Sequence, residues 1–259
     1  KGGRINGAPN MAVHQRLAAT GFLDADDGLG HLAGYTAMEH ATTMAEVTGI
    51  GAVAVGNSSH FGAAGCYALA AAERGYVGMA FCNSDPFVPW NRVQQFGAIG
   101  RELPDQVAAD AAGQVSRVPG EVAALLPLGG SGFGFKGAGL GGMVEVLSSM
   151  LSGMQHGFKL LPMGGPDMAT PRGVGHFFLA MKPDAFVEEG VFARGLADYL
   201  ADLRAQPATQ DAQVMAPGDR EWRCRAQRDA EGIPLDSANQ IAYAEIAEQY
   251  QITPLSQLV

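Results

Sequence analysis

Cysteine is scarce: Cys66, Cys82 and Cys224 are an odd number, and no two of them stand in a C-x-x-C pair. That excludes a disulfide framework and a zinc knuckle, and it points to a reducing, cytoplasmic compartment. Charge is scarce too, at 17% of residues against 47% apolar, and such a chain has enough apolar surface to offset the entropy lost on folding. Lys and Arg are scattered within a net charge of -9, so the basic stripe that a nucleic acid needs is missing. Apolar runs are broken by Gly, Glu or Arg well before the roughly 20 residues that span a bilayer, which excludes a membrane helix. The opening KGGRINGAPNM carries no apolar export signal. His31, His40, His156 and His176 show no H-E-x-x-H or similar spacing, so no metal is expected, and no G-x-S-x-G elbow is present.

Glycine, by contrast, is abundant. The 36 glycines are about twice the usual share of roughly 7%, and they gather in GAPNM, LGHLAG, LGGSGFGFKGAGLGG and MGGPD, as turns and close backbone approaches do. A chain of 259 residues makes one large domain or two modest ones. Apolar spacing predicts a short helix at 11–19, a strand at 21–23, a helix at 34–47, a strand at 51–57, a helix from His60 to Gly75 and a strand at 77–83. Residues 92–127 read as irregular chain. LGGSGFGFKGAGL reads as a glycine-rich loop before a buried apolar helix, GLGGMVEVLSSMLSGM. A strand at 174–181, a helix at 184–204, a turn at MAPGDREW and a last helix at 237–250 complete the pattern. Strands alternating with helices predict an α/β class. The simplest division is a mixed-sheet α/β domain at 18–181, with 1–17 and 182–259 forming a helical domain from the chain ends.

Chemistry concentrates after two of the strands. In NSSHFGAAG, His60 follows a strand and precedes a helix, where crevices form, and an imidazole there can exchange a proton near neutral pH. Equally, such a histidine can merely hydrogen-bond across its loop. Asp85, in CNSDPF after the next strand, has the position to orient that imidazole, or to make an Asx turn before Pro86. Arg92, just past the same loop, is a candidate for a substrate carboxylate. In FGFKGAG, Lys136 and backbone donors can converge on an anion, although neither a P-loop nor a G-x-G-x-x-G fingerprint is present, and a surface lysine fits as well. PGDRE at 217–221 fits an ordinary turn with a surface ion pair.

Taken together, GYTAMEHATTMAEVTGIGAVAVGNSSHFGAAGCYALAAAERGYVGMAFCNSDP, PWNRVQQFGAIGRELP, LPLGGSGFGFKGAGLGGMVEVLSSMLSG and VGHFFLAMKPDAF resemble the type 2 malate/L-lactate dehydrogenase family. The resemblance runs through almost the whole chain. It implies a non-Rossmann mixed-sheet dehydrogenase fold with an accompanying helical domain, and an NAD- or NADP-dependent oxidoreductase. The reaction implied is hydride transfer between nicotinamide and a small 2-oxo/2-hydroxy acid such as malate or lactate. By the same resemblance His60 corresponds to the histidine of an S-x-H-x-G segment near the nicotinamide, a candidate catalytic residue, and Asp85 to an aspartate that partners it in some members. Phe135 and Lys136 fall on dinucleotide-contacting positions. Gly218, Asp219 and Arg220 fall on a cofactor-contacting turn that more often reads Gly-x-Glu or Gly-x-Gln. A homodimer is implied too. Alternatives are a reductase of cyclic 2-imino acids (piperideine or pyrroline 2-carboxylate) and a catalytically silent dinucleotide-binding protein. The sequence departs from the family pattern in lacking its Ser-His-Gly segment and the several tens of residues the family carries between Val88 and Pro89.

Overall fold

The structure is a computed structural model that describes residues 2–84, 90–209 and 212–255. Its elements are β1 (Ala12–Leu17), β2 (Thr20–Asp24), α1 (Gly30–Thr48), β3 (Ile50–Ser58), α2 (Ala64–Ala72), β4 (Val77–Cys82) and α3 (Trp90–Ala98). Two short strands, β5 (Ala108–Ala109) and β6 (Ala124–Leu125), then lead to α4 (Gly130–Glu145), β7 (Val174–Met181), α5 (Val191–Arg204), α6 (Asp219–Glu231) and α7 (Ser237–Tyr250). The chain divides into two compact units, Lys1–Glu189 and Gly190–Val259. All the strands lie in the first, and the second holds three helices among its described residues.

One five-stranded mixed sheet, in the order β1-β2-β3-β7-β4, organises the first unit. β2 runs parallel to β3, while β7 runs antiparallel to both β3 and β4, so β2, β3 and β4 all end on the same edge of the sheet. Alternation drives this arrangement. Leu23, Val53, Val55 and Phe178 point to one face and are fully buried there under Ala33, Ala37, Met38, Ala41 and Ala45 of α1 and Tyr67 of α2. Each large apolar side chain so buried contributes about 1.5–3 kcal/mol. The run of alanines on α1 keeps that helix close to the strands, and Gly49 ends it in a left-handed conformation.

Five expectations are corrected. Residues 12–17, predicted helical and assigned with the C-terminal helices, form the edge strand β1, which pairs with β2 from Ala12↔Asp24 to Leu17↔Thr20. Pairing with a neighbour outweighs the polar, helix-like composition of AVHQRL. The glycine-rich stretch around Lys136 is the body of α4 rather than a loop. Gly137 makes that packing feasible, because a Cβ there would stand 2.4 Å from the backbone of Leu128. The apolar helix that continues α4 is also not buried on its apolar side. Its last five residues, Val146–Met150, wind as a π-helix, and it is Ser148, Ser149 and Ser152 that turn inward while Leu140, Met143, Val146, Met150 and Leu151 are exposed. Small side chains face the sheet because Ser148 passes directly over β7: a Cβ on Gly175 would be 2.0 Å from the Ser148 carbonyl oxygen. Two helices, α3 and α6, lie where irregular chain and a turn were expected.

Candidate active site

Crevices form outside the carboxyl ends of parallel strands, and β2, β3 and β4 deliver Asp24, Ser58 and Cys82 to one such edge. Ser58 ends β3. Its hydroxyl shares a 2.8 Å hydrogen bond with Nε2 of His176 on the neighbouring strand β7. His176 is fully buried, and its ring is stacked on Phe61 at 4.6 Å with a 1° interplanar angle. Burial pulls its pKa down to about 3, so the ring is neutral near pH 7 and serves as packing and hydrogen-bonding framework.

Ser59, the next residue, ties the loop to the start of α1. Its hydroxyl accepts the Gly30 N–H at 2.9 Å and donates to the Gly28 carbonyl at 3.0 Å. The approach requires glycine, since a Cβ at Gly30 would lie 2.2 Å from the Ser59 carbonyl oxygen and 2.6 Å from that of His60. On the far side, the Tyr67 hydroxyl donates to the Phe61 carbonyl. The backbone around His60 is thus fastened at Ser58, Ser59 and Phe61, while the His60 imidazole itself is exposed. His31, in the first turn of α1, faces it edge-on with ring centroids 6.2 Å apart. The pKa of His60 lies below the ordinary histidine value, first through partial desolvation and then through the positive influence of His31 and Arg172. A neutral imidazole on a rigid loop is suited to accept a proton.

The end of β4 is fastened as firmly. Asn83 is buried, accepts the Gly175 N–H at 2.9 Å and donates to the Gln155 carbonyl at 2.8 Å. Cys82 beside it is a buried thiol whose pKa burial pushes up to about 12, which makes it unreactive as a nucleophile. Asp85 lies outside the described residues. Arg92 falls in α3, and its side chain is likewise outside what the structure describes.

The candidate cofactor residues sit on two helices. Phe135 and Lys136 are exposed on α4, where the Lys136 ammonium lies 6.0 Å from the centre of the Phe133 ring. The α4 N-terminus is capped from within the chain, the Gln106 side-chain carbonyl accepting the Ser131 N–H at 3.0 Å. In the second unit, Gly218 is the left-handed N-cap of α6, and Arg220 is exposed. Asp219 is engaged internally: its carboxylate accepts two hydrogen bonds from Arg204, at 2.7 and 3.0 Å, and one from the Ala216 N–H at 2.9 Å. Those partners, Arg204 first, hold its pKa down at about 2. A cavity of about 550 Å³ lies elsewhere, against β1, β2, β3 and β7, and none of these residues lines it.

Sequence reasoning did not single out Ser58, Ser59, His176, His31 or Arg172. The pair of hydroxyls directly before His60 was the available signal. The role of His176 depends on a cross-strand partner that no local spacing reveals.

With this geometry in hand, the comparisons with known proteins decide the family. The model of the malate/L-lactate dehydrogenase family matches residues 1–95 and 87–242. The chain belongs to this family. Its two matched stretches meet at 87–95, around the Val88–Pro89 join where the sequence departs from the family pattern. The chain is similar to the malate dehydrogenase of Pyrococcus abyssi, 30% identical over 93% of this chain and 78% of that protein. It is also similar to the L-sulfolactate dehydrogenase of Methanocaldococcus jannaschii, at 26% identity over 90% of this chain and 76% of that protein. Among solved structures, malate dehydrogenase from Pyrococcus horikoshii superposes with a TM-score of 0.84 at 25% identity, covering 97% of this chain and 80% of that one. That from Entamoeba histolytica superposes at 0.88, with 23% identity over 97% and 82%, which speaks for the fold alone. This member of the family is an oxidoreductase, with the mixed-sheet dehydrogenase fold in place of a Rossmann fold. No helix among the described residues is long and apolar enough to cross a membrane.

Proposed function

We propose that the enzyme interconverts a small 2-hydroxy acid of the malate or lactate type and its 2-oxo acid, with His60 as the group that moves the proton. The observation that carries this reading is the exposed His60 imidazole on a backbone fastened at Ser58, Ser59 and Phe61, at the edge where β2, β3 and β4 end. A nicotinamide dinucleotide, NAD or NADP, supplies or takes up the hydride when bound. The residues present fit such a group: Lys136 offers a cation for its phosphates, and the neighbouring exposed rings of Phe133 and Phe135, with centroids 6.4 Å apart, offer flat apolar surface. Phe135 and Lys136 of the first unit would hold it. In the second unit, taken by itself, the Gly218, Asp219 and Arg220 turn at the α6 N-terminus is a candidate dinucleotide contact, and Asp219 keeps that turn in shape through Arg204 and Ala216.

In the oxidative direction neutral His60 accepts the proton of the C2 hydroxyl, so no alkoxide has to persist. In the reductive direction its imidazolium returns that proton to the C2 oxygen. Asp85, three residues past the end of β4, orients the imidazole, and Arg92 contributes to holding the substrate. The chain works as a homodimer in the cytoplasm, and the exposed apolar side chains of α4 and its π-helical extension, Leu140, Met143, Val146 and Met150, supply contact surface for a second copy.

Nicotinamide absorbance, followed with each dinucleotide against malate, lactate, sulfolactate, ureidoglycolate and their 2-oxo forms, tests this directly. Turnover of at least one pair above the substrate-free control is expected. Activity confined to cyclic 2-imino acids would refute the hydroxy-acid reading.

A further inference from the structure

The sequence contains one Asn-Gly pair, Asn6–Gly7. Glycine at 7 answers no demand of the fold: its φ lies outside the left-handed region, and a Cβ there would meet nothing within 4 Å. Gly7 is exposed, and its N–H donates to no group among the described residues. What a glycine does leave open is the approach of its own nitrogen to the side chain before it. Asn6 Oδ1 accepts the Ala8 N–H at 3.0 Å, an Asx turn that closes a ring containing both the Asn6 carboxamide carbon and the Gly7 nitrogen.

The same carboxamide attaches the segment to the protein. Its Nδ2 donates to Asp26 Oδ2 at 2.9 Å, the oxygen that also accepts the Asn10 N–H at 2.9 Å, and the Asn6 N–H donates to the Asp27 carbonyl at 2.8 Å. Asp24, Asp26 and Asp27 crowd this loop with carboxylates, and after burial the charges of Asp26 and Asp24 hold the Asp27 pKa above its ordinary value. Amide donors there offset like charge. Pro9 packs against Gly28, where a Cβ would lie 2.7 Å from Pro9 Cγ, and the Gly28 carbonyl accepts the Ser59 hydroxyl. Residues 6–10 thus brace the loop that fastens Ser59 beside His60.

We propose that Asn6–Gly7 is a site of spontaneous deamidation whose products release residues 6–10 from the acidic loop. The Gly7 nitrogen attacks Asn6 Cγ. The N–Cγ bond forms, the Cγ–Nδ2 bond breaks, and Nδ2 leaves as ammonia with the proton of the Gly7 nitrogen. Water then opens the cyclic imide at either carbonyl. Cutting the new N–Cγ bond gives an aspartyl residue, and cutting the original peptide bond gives an isoaspartyl one; nothing is oxidised or reduced. Each product replaces the donor facing Asp26 with a carboxylate, so a hydrogen bond becomes a like-charge contact.

The test incubates the native protein in mildly alkaline buffer and maps it by peptide mass spectrometry, with chromatographic separation of aspartyl and isoaspartyl peptides. Both products are expected at position 6, while Asn57 and Asn83, each followed by serine and hydrogen-bonded at the sheet edge, stay unchanged. Gly7→Ala, which the open space admits, should slow the conversion by about tenfold or more. Asn6→Asp stands in for the aspartyl product. Trypsin should cut it after Arg4 at least about threefold faster than the native protein at low salt, and the difference should shrink at high salt. The cause is that Arg4 no longer stays on the Pro162 and Met163 carbonyls. A native protein that shows no conversion at position 6, while the free peptide of residues 2–12 converts, overturns the site. So does conversion at the native rate in Gly7→Ala, or in Asn6→Gln should the first variant not fold. Equal cleavage after Arg4 in Asn6→Asp and the native protein at low salt overturns the release.

Discussion

Ser58 and His176 share a 2.8 Å hydrogen bond in the buried sheet, and it is two residues from His60 along the chain. Removing the hydroxyl leaves a buried ring nitrogen without that partner, which costs about 1–3 kcal/mol. Ser58→Ala is therefore expected to lower the free energy of unfolding by that amount in a denaturant titration. It should also lower kcat more than it raises KM, because the His60 loop loses a fastening.

His176 also makes stability depend on pH, and the sign is fixed. Its folded-state pKa of about 3 lies below the ordinary value of about 6.5 that it regains on unfolding. The unfolded chain binds the extra proton, so the contribution is complete above about pH 6.5 and is lost as pH falls toward about 3. The melting temperature should drop between about pH 7 and about pH 5, and His176→Phe should show a clearly shallower drop over that range. Equal slopes in the two proteins would contradict the assignment.

Gly30 and Gly65 form a matched pair of probes. A Cβ at Gly30 meets the Ser59 carbonyl at 2.2 Å, while at Gly65, in α2, nothing lies within 4 Å. Gly65→Ala should be neutral or stabilising by up to about 1 kcal/mol, as helix propensity dictates. Gly30→Ala should destabilise by about 1–3 kcal/mol and reduce turnover, since α1 can no longer close on the His60 loop.

Much of this architecture is legible in the sequence, and the exceptions share a cause. The α1–β3–α2–β4 run and β7 show their periodicities plainly, and His60 stands out by following a strand and opening a helix. β1 does not, because AVHQRL becomes a strand only through β2. α4 does not, because its glycines suit a loop equally well until Gly137 meets the backbone at Leu128. α6 has no buried residue to give it an apolar stripe, and its sequence DREWRCRAQRDAE is polar nearly all round. Ser58 and His176 acquire their roles through partners across strands or loops, a relation that spacing along the chain does not encode.

Lys136 separates a cofactor role from a surface one. Lys136→Ala should weaken binding of the dinucleotide by about three- to tenfold, more at low salt than at high, while leaving thermal stability unchanged, because its side chain is exposed. Fluorescence titration with the reduced dinucleotide at two ionic strengths provides the check. Equal affinities at both would remove it from the cofactor site.

The central claim is that His60 carries the proton, and the most direct test is the pH dependence of hydroxy-acid oxidation by the native enzyme and by His60→Gln. In the native enzyme kcat/KM should rise with pH through a pKa below the ordinary histidine value and then level off, since only the neutral imidazole accepts the proton. The variant should be slower by about 10²–10⁴-fold and lack that step. A variant that keeps the native rate and the native pH profile would contradict the account.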